Sequence, residues 1–495
     1  MRKSLLSTAL LGAAFNLGFA QSPDLRWTKH FNSPHLGMIE SIAPLPTGGY
    51  AIAGNKFVGE VSDNNRDYMV AVIDNYGNTK WSKIFGGPNH DYGTEVKIDA
   101  DGNMVVVGSI QSSTIDYFTA SKGYYDVGVM KLDTSNGDVI WAKRYGGNVS
   151  DYGHAIWPTT DGGYLVGGSS GSKTDDVSAN NGVQDAWIFK IDADGVLLWE
   201  KNHGTTANDY AYSVQETTDG GYVFFGTSMN DMWVVKVDSS GTEDWNKRFG
   251  GSIEDHCYVG QQTSDGGYIL SGFAKSSNGE FTTNAGEEDG WIIKLSSSGT
   301  VEWKHALATN RIDRIFSVKE TEDGDFIYIG TSQNKVYLMS SLTLAKVSNS
   351  GTEVWNKTLQ NSSEFYGYQM LDVVETHDDG YMLVGGIGAV QTEVFYNSLR
   401  SYLMKFGGTG NEGVTNIFSL KRSNALTLYP NPAATEFKVT IAQPMEIRIV
   451  NVLGETVLME QAAPDESTID VSSLAPGTYY VLAGNNTSGQ LVVVK

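Results

Sequence analysis

Tryptophan recurs along this chain between two fixed kinds of turn, and this recurrence limits the fold more than any other feature. The marker tryptophans are separated by 46 to 60 residues: Trp27, Trp81, Trp141, Trp199, Trp245, Trp303 and Trp355. A Gly-containing turn precedes each of the last six, and an Asp-Gly or Gly-Gly turn follows each of the seven after an apolar segment. Such turns between β-rich segments indicate antiparallel hairpins, because Gly adopts a positive φ without steric cost.

One unit therefore contains four short strands and ends on a tryptophan strand. Seven sets of the first three strands are present, but only six tryptophan strands follow such a set. The seventh tryptophan strand, residues 26–30, lies before the first set, and the last third strand is residues 401–406. Pairing these two segments closes a ring and removes a free edge from a circular array.

The sequence thus predicts an all-β protein, a seven-bladed β-propeller over residues 21–408 with four antiparallel strands per blade. The N-terminal strand closes the last blade. A linear β-solenoid is the alternative repeat fold. We expect the seven tryptophans to pack between adjacent blades, and a functional aromatic cage is the alternative for them.

The repeat motifs resemble those of known proteins. The turn D-x-x-G-x-x-x-W resembles the tryptophan-docking motif of quinoprotein-type propellers. T-x-D-G-G-Y, D-x-W-x-x-K and W-x-K-x-x-G-G together resemble repeats in secreted proteins of the Bacteroidetes. These resemblances imply an architecture and no activity. Many quinone dehydrogenases carry a vicinal disulfide, which Cys257, the only cysteine, cannot form.

Charge and composition narrow the partners and the compartment. The net charge of −22 repels nucleic acid and anionic lipid, so neither is predicted as a partner. Residues 1–20 read as a signal peptide, with basic Arg2 and Lys3, an apolar stretch and small residues before position 21. A membrane anchor is the alternative for this segment. No later segment is predicted to span a membrane.

The last seventy residues change character. A linker at 409–424 precedes a small Ig-like β-sandwich at 425–495, with short alternating strands. Its strings YPNPA, IVNVLGE, LAPGTYYV and LVVVK resemble the C-terminal sorting domain of type IX secretion cargo. The matching residues include Tyr429, Pro430, Asn431, Pro432, Gly454, Pro476, Gly477 and Lys495.

This resemblance implies partners and a location. The partners are the type IX secretion machinery and its sorting protease. The location is the outer-membrane surface or the extracellular space, reached through the periplasm. An ordinary Ig-like adhesion domain is the alternative.

A loop between two strands is rich in oxygen ligands. Its candidate metal-binding residues are Asp175, Asp176, Asn180 and Asp185. Calcium takes about six to eight oxygen ligands, so this loop could hold Ca²⁺, the only cofactor considered. A solvated turn is the alternative.

Carboxylates and rings also recur where the chain returns to the propeller axis. The ligand-face candidates are Asp91, Asp151, Asp209, Asp255, His256, Asp313, Arg314 and Glu364. They could bind a cation or sugar hydroxyls. Alternatively, each Asp accepts backbone N–H bonds and fixes its own loop. A true site should break the repeat symmetry, which directs attention to blades 5 and 6, where His256 and Arg314 lie.

No catalytic residue is predicted, because nucleophile-elbow, zincin and P-loop motifs are absent from the sequence. We expect a binding protein that recognises glycan or protein ligands through its loop face. The alternative is a propeller enzyme that acts on polysaccharide.

The export interpretation predicts the effect of a truncation. Deletion of residues 424–495 should leave the protein in the periplasm, because the segment read by the exporter is lost. Cell fractionation and immunoblotting would measure the distribution. Normal appearance of the truncated protein at the cell surface or in the medium would contradict the interpretation.

Overall fold

The structure is a computed structural model that describes residues 22–30, 36–58, 65–113, 115, 117–334, 340–359, 368–387, 400–407, 428–429, 433–441, 445–450, 456–463, 465–483 and 487–493. All regular elements within these ranges are β-strands. No helix there has the length and apolar character of a membrane span. The chain divides into two units: the larger holds residues 1–24 and 29–408, and the smaller holds residues 409–495 with the short segment 25–28. The predicted signal peptide lies outside the described residues.

The larger unit is a propeller of seven four-stranded antiparallel sheets. The first strand of the chain, β1 (Leu25–His30), belongs to the last blade. Blades 1 to 3 are β2 (Leu36–Pro44), β3 (Tyr50–Val58), β4 (Asn65–Ile73) and β5 (Thr79–Phe85); β6 (Asp91–Ile98), β7 (Met104–Ile110), β8 (Asp126–Leu132) and β9 (Val139–Tyr145); β10 (Asp151–Pro158), β11 (Tyr164–Ser170), β12 (Asp185–Ile191) and β13 (Leu197–His203).

The remaining blades follow the same order. Blades 4 to 7 are β14 (Asp209–Glu216), β15 (Tyr222–Ser228), β16 (Asp231–Val237) and β17 (Glu243–Phe249); β18 (Asp255–Gln262), β19 (Tyr268–Ala274), β20 (Asp289–Leu295) and β21 (Val301–Leu307); β22 (Ile312–Glu320), β23 (Phe326–Gln333), β24 (Ser340–Val347) and β25 (Glu353–Leu359); β26 (Tyr368–Thr376), β27 (Gly380–Ile387), β28 (Arg400–Gly407) and β1.

The ring closes as the strand count predicts. In the last blade the strand order is β1-β28-β27-β26, so the first strand of the chain pairs with the last propeller strand. The backbone N–H of Gly407 also donates to the Asp24 carbonyl at 2.9 Å. The innermost strands contact each other in the cyclic order β2, β6, β10, β14, β18, β22, β26 and back to β2. The predicted seven-bladed propeller and its closure are therefore confirmed, and the solenoid alternative is wrong.

Five of the marker tryptophans are described against the turn between the third and fourth strands of the next blade: Trp81, Trp141, Trp199, Trp245 and Trp303. Trp141 Nε1 donates to the Ala193 carbonyl at 2.9 Å, and its ring lies 5.9 Å from that of Tyr164. Trp81 and Trp303 make the same kind of bond to Thr134 and Asn349. The Gly of each of these five turns has a positive φ and leaves room for the indole of the preceding blade. The turn motif thus encodes a contact between blades.

The other repeat motifs join within one blade. Thr159 Oγ1 and the Gly163 N–H both donate to Asp161 Oδ1, at 2.6 and 3.0 Å, which holds the T-x-D-G-G turn. The buried Lys190 of D-x-W-x-x-K donates to the same oxygen at 2.9 Å. Lys236–Asp219 and Lys294–Asp265 repeat this ion pair. The two motifs are therefore the two ends of one interaction.

The smaller unit consists of two sheets. One has the order β29 (Leu428–Tyr429), β30 (Glu436–Ile441), β33 (Asp465–Asp470). The other has the order β32 (Thr456–Ala462), β31 (Met445–Val450), β34 (Gly477–Ala483), β35 (Thr487–Val493). Buried side chains from both sheets, such as Phe437 and Ile447, form one core, which fits the predicted Ig-like sandwich.

The docking contact predicts different costs for two glycines of blade 4. Gly241 (φ +78°) and Gly220 (φ +80°) have similar backbones, but a Cβ at Gly241 would lie 2.8 Å from the Trp199 ring, whereas one at Gly220 meets nothing within 4 Å. Gly220→Ala should lose about 1 kcal/mol from left-handed strain alone. Gly241→Ala should lose about 1–3 kcal/mol more through overpacking.

Urea unfolding followed by tryptophan fluorescence would measure both losses. Equal midpoints for Gly220→Ala and Gly241→Ala would show that the indole does not need this glycine.

Candidate functional site

The innermost strands of all seven blades line a central cavity of the propeller with a volume of about 120 Å³. Ligand pockets commonly have volumes of about 300–1,000 Å³, so this cavity suits a small chemical group rather than a whole ligand. Each blade contributes side chains from one strand, so the cavity lies on the propeller axis. We call it the channel.

Every innermost strand carries a β-bulge at the level of the channel. In β10, Gly153 pairs with Gly168 and Ala155 with Gly167, which leaves His154 without an opposite residue. The same irregularity recurs in the other six strands, and one residue per blade is left over. Bulges redirect side chains and are common beside functional sites. The seven extra residues all line the channel, and we call them the bulge ring: Glu40, Thr94, His154, Tyr212, Tyr258, Phe316 and Leu371.

The bulge ring differs in chemistry from blade to blade. Glu40 stands alone as an acid in the ring, and burial raises its pKa to about 7. Burial also lowers the pKa of His154 to about 4, so its imidazole is neutral at physiological pH. Blades 4 to 6 contribute two phenols and a phenyl ring. The ring is therefore asymmetric although the backbone repeats.

Two further carboxylates line the channel, and each is held by protein groups. Glu95 pairs with Lys97 Nζ at 2.8 Å and accepts the Ile156 N–H at 2.7 Å. Asp372 lies 3.8 Å from Lys319 Nζ and accepts the Ser317 hydroxyl at 3.1 Å. Both are thus neutralised locally.

A band of tyrosines lies where the innermost strands of blades 2 to 4 begin, on the face formed by the longer loops. The Tyr92 and Tyr125 rings stack at 5.9 Å, and their hydroxyls are 3.3 Å apart. The Tyr125 ring lies 5.2 Å from that of Tyr152. Tyr210 follows on blade 4 and stacks on Tyr212 at 5.4 Å. We call Tyr92, Tyr125, Tyr152 and Tyr210 the tyrosine arc.

At the position where blades 2 to 4 have a tyrosine, blades 5 and 6 have His256 and Arg314. Arg314 Nε donates to Glu288 at 2.5 Å, and its guanidinium lies 4.9 Å from the centre of the Phe273 ring. His256 stacks on the same ring at 5.6 Å. Lys275 pairs with Glu254 and lies 3.6 Å from Glu288. His256 and Arg314, two of the predicted ligand-face residues, thus lie together and break the repeat.

The five predicted aspartates at this level are fully buried and bond within the protein. Asp151 accepts the Gly147 N–H at 2.7 Å and the Ser172 hydroxyl at 2.9 Å. The others accept a backbone N–H from the residue four positions earlier: Asp91, Asp209, Asp255 and Asp313. In this structure these carboxylates fix the loops and do not face solvent. Glu364 lies outside the described residues.

The predicted calcium loop is also held by protein contacts. Asp185 is buried and accepts the Asn181 and Gly182 N–H groups, and Asn180 Nδ2 donates to the Ser170 carbonyl at 2.5 Å. Asp176 pairs with Lys122. Asp175 accepts the Thr174 hydroxyl at 2.9 Å. Among the described residues, no three His, Cys, Asp or Glu side chains converge as metal ligands.

The smaller unit carries a recognised export module. Residues 427–495 match the family model of the secretion system C-terminal sorting domain. This segment is a type IX secretion sorting domain. The protein is therefore exported to the cell surface or the extracellular space and interacts with the type IX secretion machinery, and a Bacteroidetes origin follows.

One hydrogen bond within the sorting domain accounts for one of its sequence motifs. In L-A-P-G-T-Y the Tyr479 hydroxyl donates to the Ala475 carbonyl at 2.9 Å, across the exposed Pro476 and Gly477. Tyr429 lies on β29 opposite Lys438. The other predicted motif residues lie outside the described parts of the chain: Pro430, Asn431, Pro432, Gly454 and Lys495.

Solved structures share the architecture only. Sqt1 from Chaetomium thermophilum is 11% identical, with a TM-score of 0.41, over 78% of this chain and 99% of its own. Drosophila Semaphorin 1b, extracellular domains 1-2, is 9% identical, with a TM-score of 0.41, over 78% and 87%. A glucose dehydrogenase is 11% identical, with a TM-score of 0.37, over 65% and 99%. No curated protein matches the chain significantly. These likenesses carry no argument about a ligand.

Sequence reasoning missed the bulge ring and Tyr125. A bulge shifts the period-2 pattern by one residue, and the shift leaves two adjacent partly exposed residues inside a strand, such as Thr94-Glu95 and Tyr212-Ser213. Such a pair interrupts the alternation along the strand and could have indicated the bulge. Tyr125 lies just before β8, and only the fold brings it between Tyr92 and Tyr152.

The buried acids predict how stability depends on pH. Burial raises the pKa of Glu40 from 4.5 to about 7, and burial together with nearby Asp91 raises that of Asp67 from 3.8 to about 6. Both pKa values are raised in the folded state, so the free energy of unfolding should fall as pH rises from about 4 to 7. Glu40→Gln should flatten this fall in urea unfolding at pH 4.5, 6 and 8.

Two other aspartates have lowered pKa values, and they should reduce the free energy of unfolding at low pH. Hydrogen bonds from Thr159 and Lys190 outweigh burial and lower the pKa of Asp161 to about 2, and Asp265 is similar. Their contribution is lost below about pH 4. A stability maximum above pH 7 would contradict the argument from Glu40 and Asp67, and unchanged stability from pH 4 to pH 2 would contradict the argument from Asp161 and Asp265.

Proposed function

We propose that this exported propeller is a binding protein that recognises a glycan through the tyrosine arc. One face of a sugar ring is apolar and its edge carries hydroxyls. Tyrosine matches this pattern because it offers a ring face and a polar hydroxyl. The main support for this proposal is the row of neighbouring rings from Tyr92 through Tyr125 to Tyr152, near the start of the innermost strands.

Three further features support the proposal. Tyr124, whose side chain is 64% exposed, packs edge-on against Tyr125 at 5.2 Å and extends the arc toward solvent. The cluster of Arg314, Glu288 and Lys275 supplies charged donors and acceptors for hydroxyls on the other side of the opening. The net charge of −22 disfavours polyanionic glycans, so a neutral or basic glycan is the better ligand.

A protein ligand is the second candidate, and a separate observation favours it. Loops on the same face of blades 2 to 5 expose large apolar side chains: Val149 (46%), Val183 (73%), Met229 (57%) and Ile253 (53%). Exposed apolar patches often mark protein interaction sites. Val183→Ser should weaken a protein ligand and leave glycan binding unchanged.

The polysaccharide-degrading enzyme remains an untested prediction. Within the described residues, Glu95 and Asp372 are held in ion pairs, which leaves the channel without two free carboxylates of fixed separation. We therefore favour binding over hydrolysis.

Glycan binding can be tested with a matched pair of tyrosine variants. Tyr152→Ala should weaken binding of a ligand found on a glycan array about tenfold, because truncating a central aromatic contact costs on the order of 1–2 kcal/mol. Tyr76, 47% exposed on the turn between β4 and β5 at the opposite face, is the control, and Tyr76→Ala should bind like the parent. Titration calorimetry on the full chain would measure both.

Two outcomes would reject the tyrosine arc as the site. One is an equal loss in the Tyr152 and Tyr76 variants, and the other is the lack of any ligand on the array.

A further inference from the structure

The seven-fold order of the blades places Glu40 opposite two tyrosines. Glu40 lies on blade 1, and blades 4 and 5 stand across the axis from it in a ring of seven. Their bulge residues are Tyr212 and Tyr258, which line the same channel as Glu40. A carboxyl group and two aromatic rings therefore face one another across the channel.

The carboxyl of Glu40 is short of positive charge. Among the described residues it forms no ion pair, and it accepts one hydrogen bond, from Asn55 Nδ2 at 2.9 Å. Arg66 on β4 acts on it electrostatically, but burial has the larger effect. Lys319, which lines the channel, lies near Asp372, and the neighbouring Lys97 pairs with Glu95.

The opposite wall is aromatic, and the one cation among the described residues that acts on it, Arg314 beside the Tyr258 hydroxyl, is paired with Glu288. Tyr212 lies 5.0 Å from His154, and Tyr258 stacks on Phe316 at the same distance. His154 is neutral above about pH 4. Ring faces carry partial negative charge and attract ammonium groups, and this attraction strengthens when the groups are desolvated.

We propose that the bulge ring binds an organic ammonium group, held between the Glu40 carboxylate and the rings of Tyr212 and Tyr258. The ligand is a protonated primary amine carried either by an aliphatic chain or by an amino sugar. The ammonium supplies the charge that Glu40 lacks and points N–H donors at its oxygens. This site lies one layer inside the tyrosine arc and does not depend on a glycan at that arc.

Binding should be linked to a proton. In the free protein Glu40 titrates near pH 7, and an ammonium ligand needs the ionised form. The other charged groups around the channel are the pairs Glu95–Lys97, Asp372–Lys319 and Glu288–Arg314, together with Arg66 on β4. Affinity for the amine should therefore rise about tenfold from pH 6 to pH 8, with release of one proton per ligand near pH 6.

Titration calorimetry with the full chain tests the proposal. The first probe is putrescine, whose alkyl amines stay charged because lysine-like amines titrate near pH ~10.4. The second probe is glucosamine, measured at pH 6, and the neutral control is glucose. Putrescine binding alone assigns an aliphatic amine, glucosamine binding an amino sugar, and glucose should not bind. Repeating the titrations in buffers of different ionisation enthalpy counts the released proton.

Variants separate the channel from a general surface effect. Glu40→Gln should fold, because it removes a buried charge, and should lose at least tenfold in amine affinity together with the pH dependence. Tyr212→Ala should also weaken binding. Glu243→Gln, the same chemical change on the outer strand β17, should bind like the parent.

Three results would overturn the proposal. These are no binding of either amine at its optimal pH, equal binding of glucose, or unchanged binding in a folded Glu40→Gln protein. Loss of glycan binding in Tyr152→Ala with amine binding intact would leave the channel site standing, so the two proposals fail separately.

Discussion

The pairing of β1 with β28 is the constraint on which the propeller depends. The innermost strands touch their neighbours in a closed cycle, and β1 supplies the fourth strand of the last blade in that cycle. That strand is β1, so closure joins residues 25–30 to residues 400–407. The channel exists because the cycle is complete.

Closure alone does not fix the spacing between blades, and the tryptophan turns supply that function. In five described blade junctions, the indole fills the place that a side chain would take at the turn glycine of the next blade. Within a blade, the buried lysine and the T-x-D-G-G turn join the outer end of the third strand to the first hairpin. The repeat motifs are therefore explained by one contact between blades and one within them.

The architecture could be predicted from the sequence because these contacts leave strict local signatures. The turn Gly, the Asp before it and the Trp after it are visible in the sequence without coordinates. The C-terminal module could also be predicted, since its four sequence strings match those of the sorting domain in the expected order. The candidate site was harder to predict. Glu40, Tyr212 and Tyr258 come from three blades, and no spacing along the chain shows that they meet.

A comparison among the blades separates structural positions from functional ones. Blades 2 to 6 each have an aspartate near the start of the innermost strand. Each of these carboxylates is buried and accepts a backbone N–H bond from its own loop. The bulge position varies through carboxyl, hydroxyl, imidazole, phenol, phenyl and isobutyl groups while its backbone stays the same. A repeated blade needs the same residue at every position that stabilises its structure. The bulge residue differs from blade to blade, so it has no such structural role, and all seven bulge side chains line the same channel.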